Sequence, residues 1–258
     1  MKVVVLCGGQ GTRLREETEF RPKPLVPIGD RPILWHIMKG FVHAGLREFV
    51  LCLGYRGSMI KEYFLNYEAM NNDLTVCLGQ RNSIRYHNAH DEQDVHVTLV
   101  DTGQSSMTGG RVKRIQKYVG REPFLLTYGD GVADIDLEAL LAFHKAHGRI
   151  ATISTVRPPS RFGVVDIVGD GEVACFAEKP QSDNWANAGF MVLNPEIFDY
   201  LEGDDCILER EPLERLAAQG QLMAYRHEGF FFAMDTHREF QMLNALWESG
   251  KAPWKVWG

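Results

Sequence analysis

No Gly-Lys-Ser or Gly-Lys-Thr triplet occurs anywhere in these 258 residues, which removes the P-loop from consideration. A dinucleotide-binding turn is missing too, because counting from Gly9 the third glycine of G-x-G-x-x-G falls on Leu14. Nothing approaches the roughly 20 apolar residues needed to cross a bilayer, so no membrane partner is expected. The cysteines Cys7, Cys52, Cys77, Cys175 and Cys206 form no C-x-x-C pair, and an odd number of them cannot all be bridged internally. Reduced, mostly buried thiols in a cytoplasmic protein are expected, and no charged leader with an apolar core precedes the first strand. Basic residues are outnumbered 28 to 34 by acidic ones, and the formal charge of −6 argues against nucleic acid as a partner. Internal repeats and low-complexity linkers are absent as well.

What is present is concentrated at the start. Val3-Val4-Val5-Leu6 reads as a strand buried on both faces, and Gly8-Gly9-Gln10-Gly11-Thr12-Arg13 ends it in a tight turn. Without Cβ atoms, such a backbone lets a polyphosphate approach the main-chain N–H groups, and Arg13 adds a guanidinium suited to phosphate oxygens. Lys23 stands between Pro22 and Pro24, whose restricted backbones aim the ammonium in one direction.

The pattern L-x-G-G-x-G-T-R-L followed by P-K-P resembles the signature of the sugar-1-phosphate nucleotidylyltransferases. The resemblance continues through residues 32–38, 54–57, 101–103, 105–111, 127–134 and 250–255, and so covers nearly the whole chain. Within the family it is to the branch that takes CTP and glucose 1-phosphate. It implies an α/β fold of Rossmann-like type: a mostly parallel central sheet flanked by helices, with a small β-rich sugar-binding part. It also implies Mg²⁺ as cofactor and a homo-oligomer. One domain over 1–258 is expected, with 1–135 mainly nucleotide-binding and 136–258 mainly binding the sugar phosphate.

The remaining chain supplies strands and helices in alternation, which predicts parallel pairing with ligands beyond the carboxyl ends of the strands. Asp30 is positioned to cap a helix starting near Arg31 and Pro32, with Leu34, Ile37, Met38, Phe41 and Gly45 on one side at helical spacing. Residues 79–94 break the rhythm, and His87, His90, Asp91, Glu92 and Asp94 there lack any recognised ligand spacing, so a solvated connection or subunit contact is the better reading. Residues 105–111 form a helix start rich in small residues, with N–H groups free for ligand oxygens. Phe124-Leu125-Leu126-Thr127-Tyr128 ends at Asp130 between glycines, presenting one carboxylate of the kind Mg²⁺ takes. A second apolar strand ends at Asp235, which on residues alone is a metal ligand or the cap of the following helix.

The resemblance assigns further roles. Leu6, Gly8, Gly9, Gln10, Gly11, Thr12, Arg13, Lys23, Thr102, Gly103, Thr108, Arg111 and Asp130 would meet the nucleotide; Tyr128, Glu178, Lys179, Asn187 and Gly189 the sugar phosphate; and Asp130 and Asp235 the metal. Arg13, Lys23 and Asp130 would be the catalytic set. Ala188 departs from the family pattern, standing where a second glycine is expected before Phe190. A hairpin is predicted around Gly169-Asp170-Gly171, and the tryptophan-rich residues 247–257 are expected to pack onto the domain or a neighbouring subunit. Transfer of another base, a non-catalytic nucleotide-sugar sensor, and a nicotinamide-dependent oxidoreductase are the alternatives, the last disfavoured by Leu14.

Overall fold

The computed structural model describes all residues except 80–82, 88, 89, 91, 159–162, 179, 180, 182 and 183. Among the described residues one sheet holds β1 (Lys2–Cys7), β2 (Glu48–Leu53), β3 (His96–Asp101), β4 (Phe124–Tyr128), β5 (Ala151–Val156), β6 (Ala186–Leu193) and β7 (Leu222–Arg226). Their order is β7-β5-β6-β4-β1-β2-β3, parallel throughout except that β6 runs antiparallel to both neighbours.

The valine-rich opening explains why β1 lies in the middle. Strand side chains alternate between faces, and here both faces are covered. Val3, Val5 and Cys7 pack on one side with α1 (Ile33–His43), α3 (Leu137–His147) and α5 (His237–Glu248). Val4 and Leu6 pack on the other with α2 (Thr108–Arg114) and α4 (Glu211–Ala218).

Three local expectations need correction. Asp30 caps nothing: Gly29 turns the chain at φ +64°, so that Pro27–Ile28 pairs with Arg31–Pro32, and α1 starts only at Ile33 behind an extended Pro32. Gly45, placed on the apolar stripe of that helix, is instead exposed at φ +80°, just past the helix end. The thiols are all free, but Cys77 and Cys175 are exposed; each lies on or beside a two-stranded ribbon outside the main sheet rather than in the core.

The predicted hairpin is present as Val164–Val168 against Glu172–Ala177, and Ile167, Val173 and Phe176 on it face solvent. The carboxy-terminal tail packs onto α1. Trp254 is buried and donates its indole N–H to Nδ1 of His36 at 3.4 Å, while His36 Nε2 donates to the Ile28 carbonyl at 2.9 Å. Burial pushes the His36 pKa down from 6.5 to about 4, so the ring is neutral in this aromatic nest.

Candidate active site

The site lies where β1 and β4 end, at the carboxyl edge of the sheet. A cleft of about 330 Å³ is lined by the glycine loop, Lys23, Ser106, Thr108, Arg111, Tyr128 and Asp130. A second hollow of about 150 Å³ adjoins it, sharing Arg13, Tyr128 and Asp130 and adding Asn187, Ala188, Gly189 and Asp235.

The two aspartates meet because of a small ribbon outside the main sheet. Gly131–Ala133 pairs antiparallel with Phe231–Ala233, setting Ala233 opposite Gly131, and the Met234 amide donates to the Asp130 carbonyl at 2.8 Å. Asp235 therefore emerges beside Asp130 despite the chain between them. It does not cap α5: Thr236 does, in a capping box with Glu239, whose carboxylate also accepts the Asp235 amide at 2.7 Å. The Asp235 side chain is left free to face the cleft.

Lys23 sits between them. Its ammonium donates to Asp130 Oδ2 at 2.6 Å and to Asp235 Oδ1 at 2.7 Å, and the exposed Arg13 guanidinium reaches Asp235 Oδ1 at 3.1 Å. Burial alone would lower the Lys23 pKa; the two carboxylates, Asp130 foremost, outweigh it and hold the group above its usual value. Two acids converging on one cation suit a hard divalent ion, which takes one or two protein carboxylates and completes its shell with phosphate and water. Accordingly, no cluster of three or more His, Cys, Asp or Glu ligands gathers among the described residues.

The glycine loop owes its shape to what lies beneath it. Arg111 is buried, and its guanidinium donates to the carbonyls of Gly8, Leu53, Gly103 and Gln104 and to the Thr102 hydroxyl. A Cβ on Gly8 would fall 2.2 Å from that guanidinium, so only glycine fits. Gly11 turns the loop at φ +64°. Thr102 is fully buried and donates to the Leu53 carbonyl, and Gly103 adopts φ +89°. Gly9, Gln10 and Thr12 are exposed along the loop, and Gln10 faces a separate polar hollow with Arg15 and Tyr55. Leu6 lines the floor of the main cleft.

Among the residues expected to meet the sugar phosphate, Asn187 Oδ1 accepts the Gly189 amide at 2.8 Å, and Gly189 adopts φ +78°. Glu178 is exposed beyond the hairpin, its carboxylate over Gly163, and lines neither cleft. Lys179 lies outside the described residues, as does Asp91. Within 79–94, His90 pairs with Glu68 at 2.8 Å and Glu92 at 3.3 Å. One residue was missed as part of the site: Glu209, which reads in the sequence only as the start of a helix to Leu216, accepts the Thr108 hydroxyl at 2.6 Å and the Tyr128 hydroxyl, and the helix begins two residues later. It stands alone in an irregular stretch before α4, where no spacing rule marks it.

A glycine loop at the end of a central parallel strand, facing two acids and a lysine, is an arrangement suited to a nucleotide-binding transferase. The chain belongs to the nucleotidyl transferase family, whose sequence model matches residues 2–237. It is 52% identical to the glucose-1-phosphate cytidylyltransferase of Salmonella typhi and 45% identical to a probable glucose-1-phosphate cytidylyltransferase of Bacillus subtilis, in each case over 100% of both chains. In fold it is similar to a UDP-glucose pyrophosphorylase solved with UDP-glucose, with a TM-score of 0.70 at 18% identity over 96% of this chain and 98% of that one. Enzymes of this family generally use a divalent metal ion. No helix among the described residues is long and apolar enough to cross a membrane.

Proposed function

We propose that the protein transfers CMP from CTP to α-D-glucose 1-phosphate, releasing pyrophosphate and CDP-glucose. The observation that carries this reading is the meeting of Lys23, Asp130, Asp235 and Arg13 over the glycine loop. The full-length likeness to glucose-1-phosphate cytidylyltransferases supports the choice of cytosine and of glucose.

In this scheme the sugar-phosphate oxygen is already an anionic nucleophile, so no strong base is required. It forms a bond to the α-phosphorus while the bond to the bridging oxygen breaks, and pyrophosphate leaves with that electron pair. The loop amides of Gly8 to Gly11, with Arg13, hold the departing phosphates, and Lys23 turns from its carboxylates toward the α-phosphate. Tyr128, Asn187 and Gly189 shape the sugar side; Glu178 and Lys179 are assigned there by the family likeness alone, since Glu178 lines neither cleft. Thr102, Gly103, Thr108 and Arg111 frame the nucleotide, with Arg111 acting through the backbone it holds. Asp130 and Asp235 would hold Mg²⁺, which when bound neutralises phosphate charge. Residues 1–135 then serve mainly the nucleotide and 136–258 the sugar phosphate, although Asp235 reaches back into the first site. A cytoplasmic homo-oligomer completes the proposal; light scattering tests its size.

The deciding experiment incubates the protein with glucose 1-phosphate and each of CTP, UTP, dTTP, GTP and ATP, and follows pyrophosphate. CTP is expected to give the highest kcat/KM. Preference for UTP or dTTP overturns the base assignment, and tight binding without pyrophosphate release overturns the enzyme assignment.

A further inference from the structure

Glu209 touches neither substrate cleft, yet both of its carboxylate oxygens are occupied by hydroxyls that do line them. Oε2 accepts from Thr108 at the start of α2, on the nucleotide side, and Oε1 accepts from Tyr128 at the end of β4. The Thr108 oxygen in turn accepts the Leu208 amide at 2.9 Å, which fixes the direction of its own proton toward Glu209. Tyr128 is one of the three side chains common to the two hollows, with Arg13 and Asp130. Its ring lies against the backbone of Gly189, where a Cβ would come within 2.5 Å of the ring carbon Cδ2. The ring is therefore held by backbone on one side and by a carboxylate at its tip.

We propose that Glu209 is a positioning residue for the transfer: by accepting both hydroxyls it fixes the Tyr128 ring as the partition between the nucleotide cleft and the sugar-phosphate hollow. This rests on the function proposed above. An ionised carboxylate accepts at both oxygens, whereas an amide of the same shape accepts at one and confronts the other hydroxyl with an NH₂ group. Glu209→Gln thus replaces the charge-assisted hydrogen bond to one of the two walls by a weaker, reversed one, in which the amide donates to the hydroxyl oxygen, while filling the same volume. Because the Thr108 hydroxyl is also oriented by Leu208, Tyr128 is the wall that moves, and the sugar-phosphate side registers the change.

The test is a double-mutant cycle of wild type, Glu209→Gln, Tyr128→Phe and the double variant, with CTP and glucose 1-phosphate varied separately. Thermal unfolding is recorded for each protein. Glu209→Gln is expected to raise the KM for glucose 1-phosphate on the order of tenfold and to change the KM for CTP less than about twofold. In the Tyr128→Phe background the same substitution is expected to add less than about twofold, because the group it acts through has lost its hydroxyl. Independent multiplication of the two effects, or an unchanged KM for glucose 1-phosphate, overturns the proposal. Calorimetric binding of glucose 1-phosphate to the same four proteins in the presence of CTP lacking a cleavable α–β bridge reads the partition without turnover. A wild-type protein inactive with CTP thus defeats the assigned reaction, while unaltered sugar-phosphate binding across the cycle defeats the role of Glu209. If Glu209→Gln does not fold, Tyr128→Phe alone must raise the sugar-phosphate KM, and failure to do so overturns the proposal.

Discussion

On one side of the cleft Arg111 gathers four backbone carbonyls from three segments; beyond the other, the hairpin of Val164–Val168 and Glu172–Ala177 exposes Ile167, Val173 and Phe176 to solvent. The side proposed for the nucleotide is held in shape by buried polar contacts. The hairpin contributes little packing, and the glutamate that follows it stands exposed. Transfer at phosphorus demands fine alignment, and preorganised donors supply it. Recognition of a sugar tolerates a softer wall. Substitutions on the first side should therefore change turnover or stability, and substitutions in the hairpin neither.

The most severe way to break this contrast is at its charged centre. Lys23→Ala and Asp130→Asn are each expected to cost about 3 kcal/mol of transition-state stabilisation, roughly a hundredfold in kcat. Near-wild-type turnover with saturating metal and substrates would refute the assignment. Arg111→Lys comes next: an ammonium cannot span four carbonyls as the planar guanidinium does, and a loss of about 3 kcal/mol in denaturant-unfolding stability is expected. Unchanged stability there would mean that the loop supports itself.

Acid supplies a smaller effect on the same side, beneath the segment that follows Lys23. The folded His36 pKa is depressed to about 4 from 6.5, so the unfolded chain takes up the proton first. This contribution to stability is complete above 6.5, falls as pH drops through that value, and is gone below about 4. Unfolding in urea should show about 2 kcal/mol lost by pH 5 from this histidine, absent when His36 is replaced by Gln. Smallest of all, Ile167→Ser in the exposed hairpin should leave stability within about 0.5 kcal/mol; a larger loss would show that the hairpin is packed against something.

Apart from Lys23, marked by its flanking prolines, the parts of this site that were legible in the sequence share one property: each follows the end of a strand. Glycines after Val3-Val4-Val5-Leu6, and acids after the apolar runs at 124–128 and 230–234, announce themselves because a buried strand has few reasons to stop at such residues. The Asp235 side chain remained ambiguous because capping and metal binding call for the same acid; only the fold shows that Thr236 takes the cap. Asp30 misled because the paired segments Pro27–Ile28 and Arg31–Pro32 are too short to leave a periodic signal. Arg111 was marked as a ligand contact; its guanidinium is taken up by the Thr102 hydroxyl and four main-chain oxygens, which every residue carries and no motif reveals. Glu209 was invisible for the related reason that its two partners, Thr108 and Tyr128, are remote along the chain.

The single guanidinium of Arg111 gives this site a hub. Because the ends of β1 and β2 and the turn after β3 are fastened to one side chain, an engineer who lengthens any of these connections moves all three together. Retargeting this scaffold to a different base is better attempted at exposed positions around the rim, leaving that hub and its carbonyl spokes untouched.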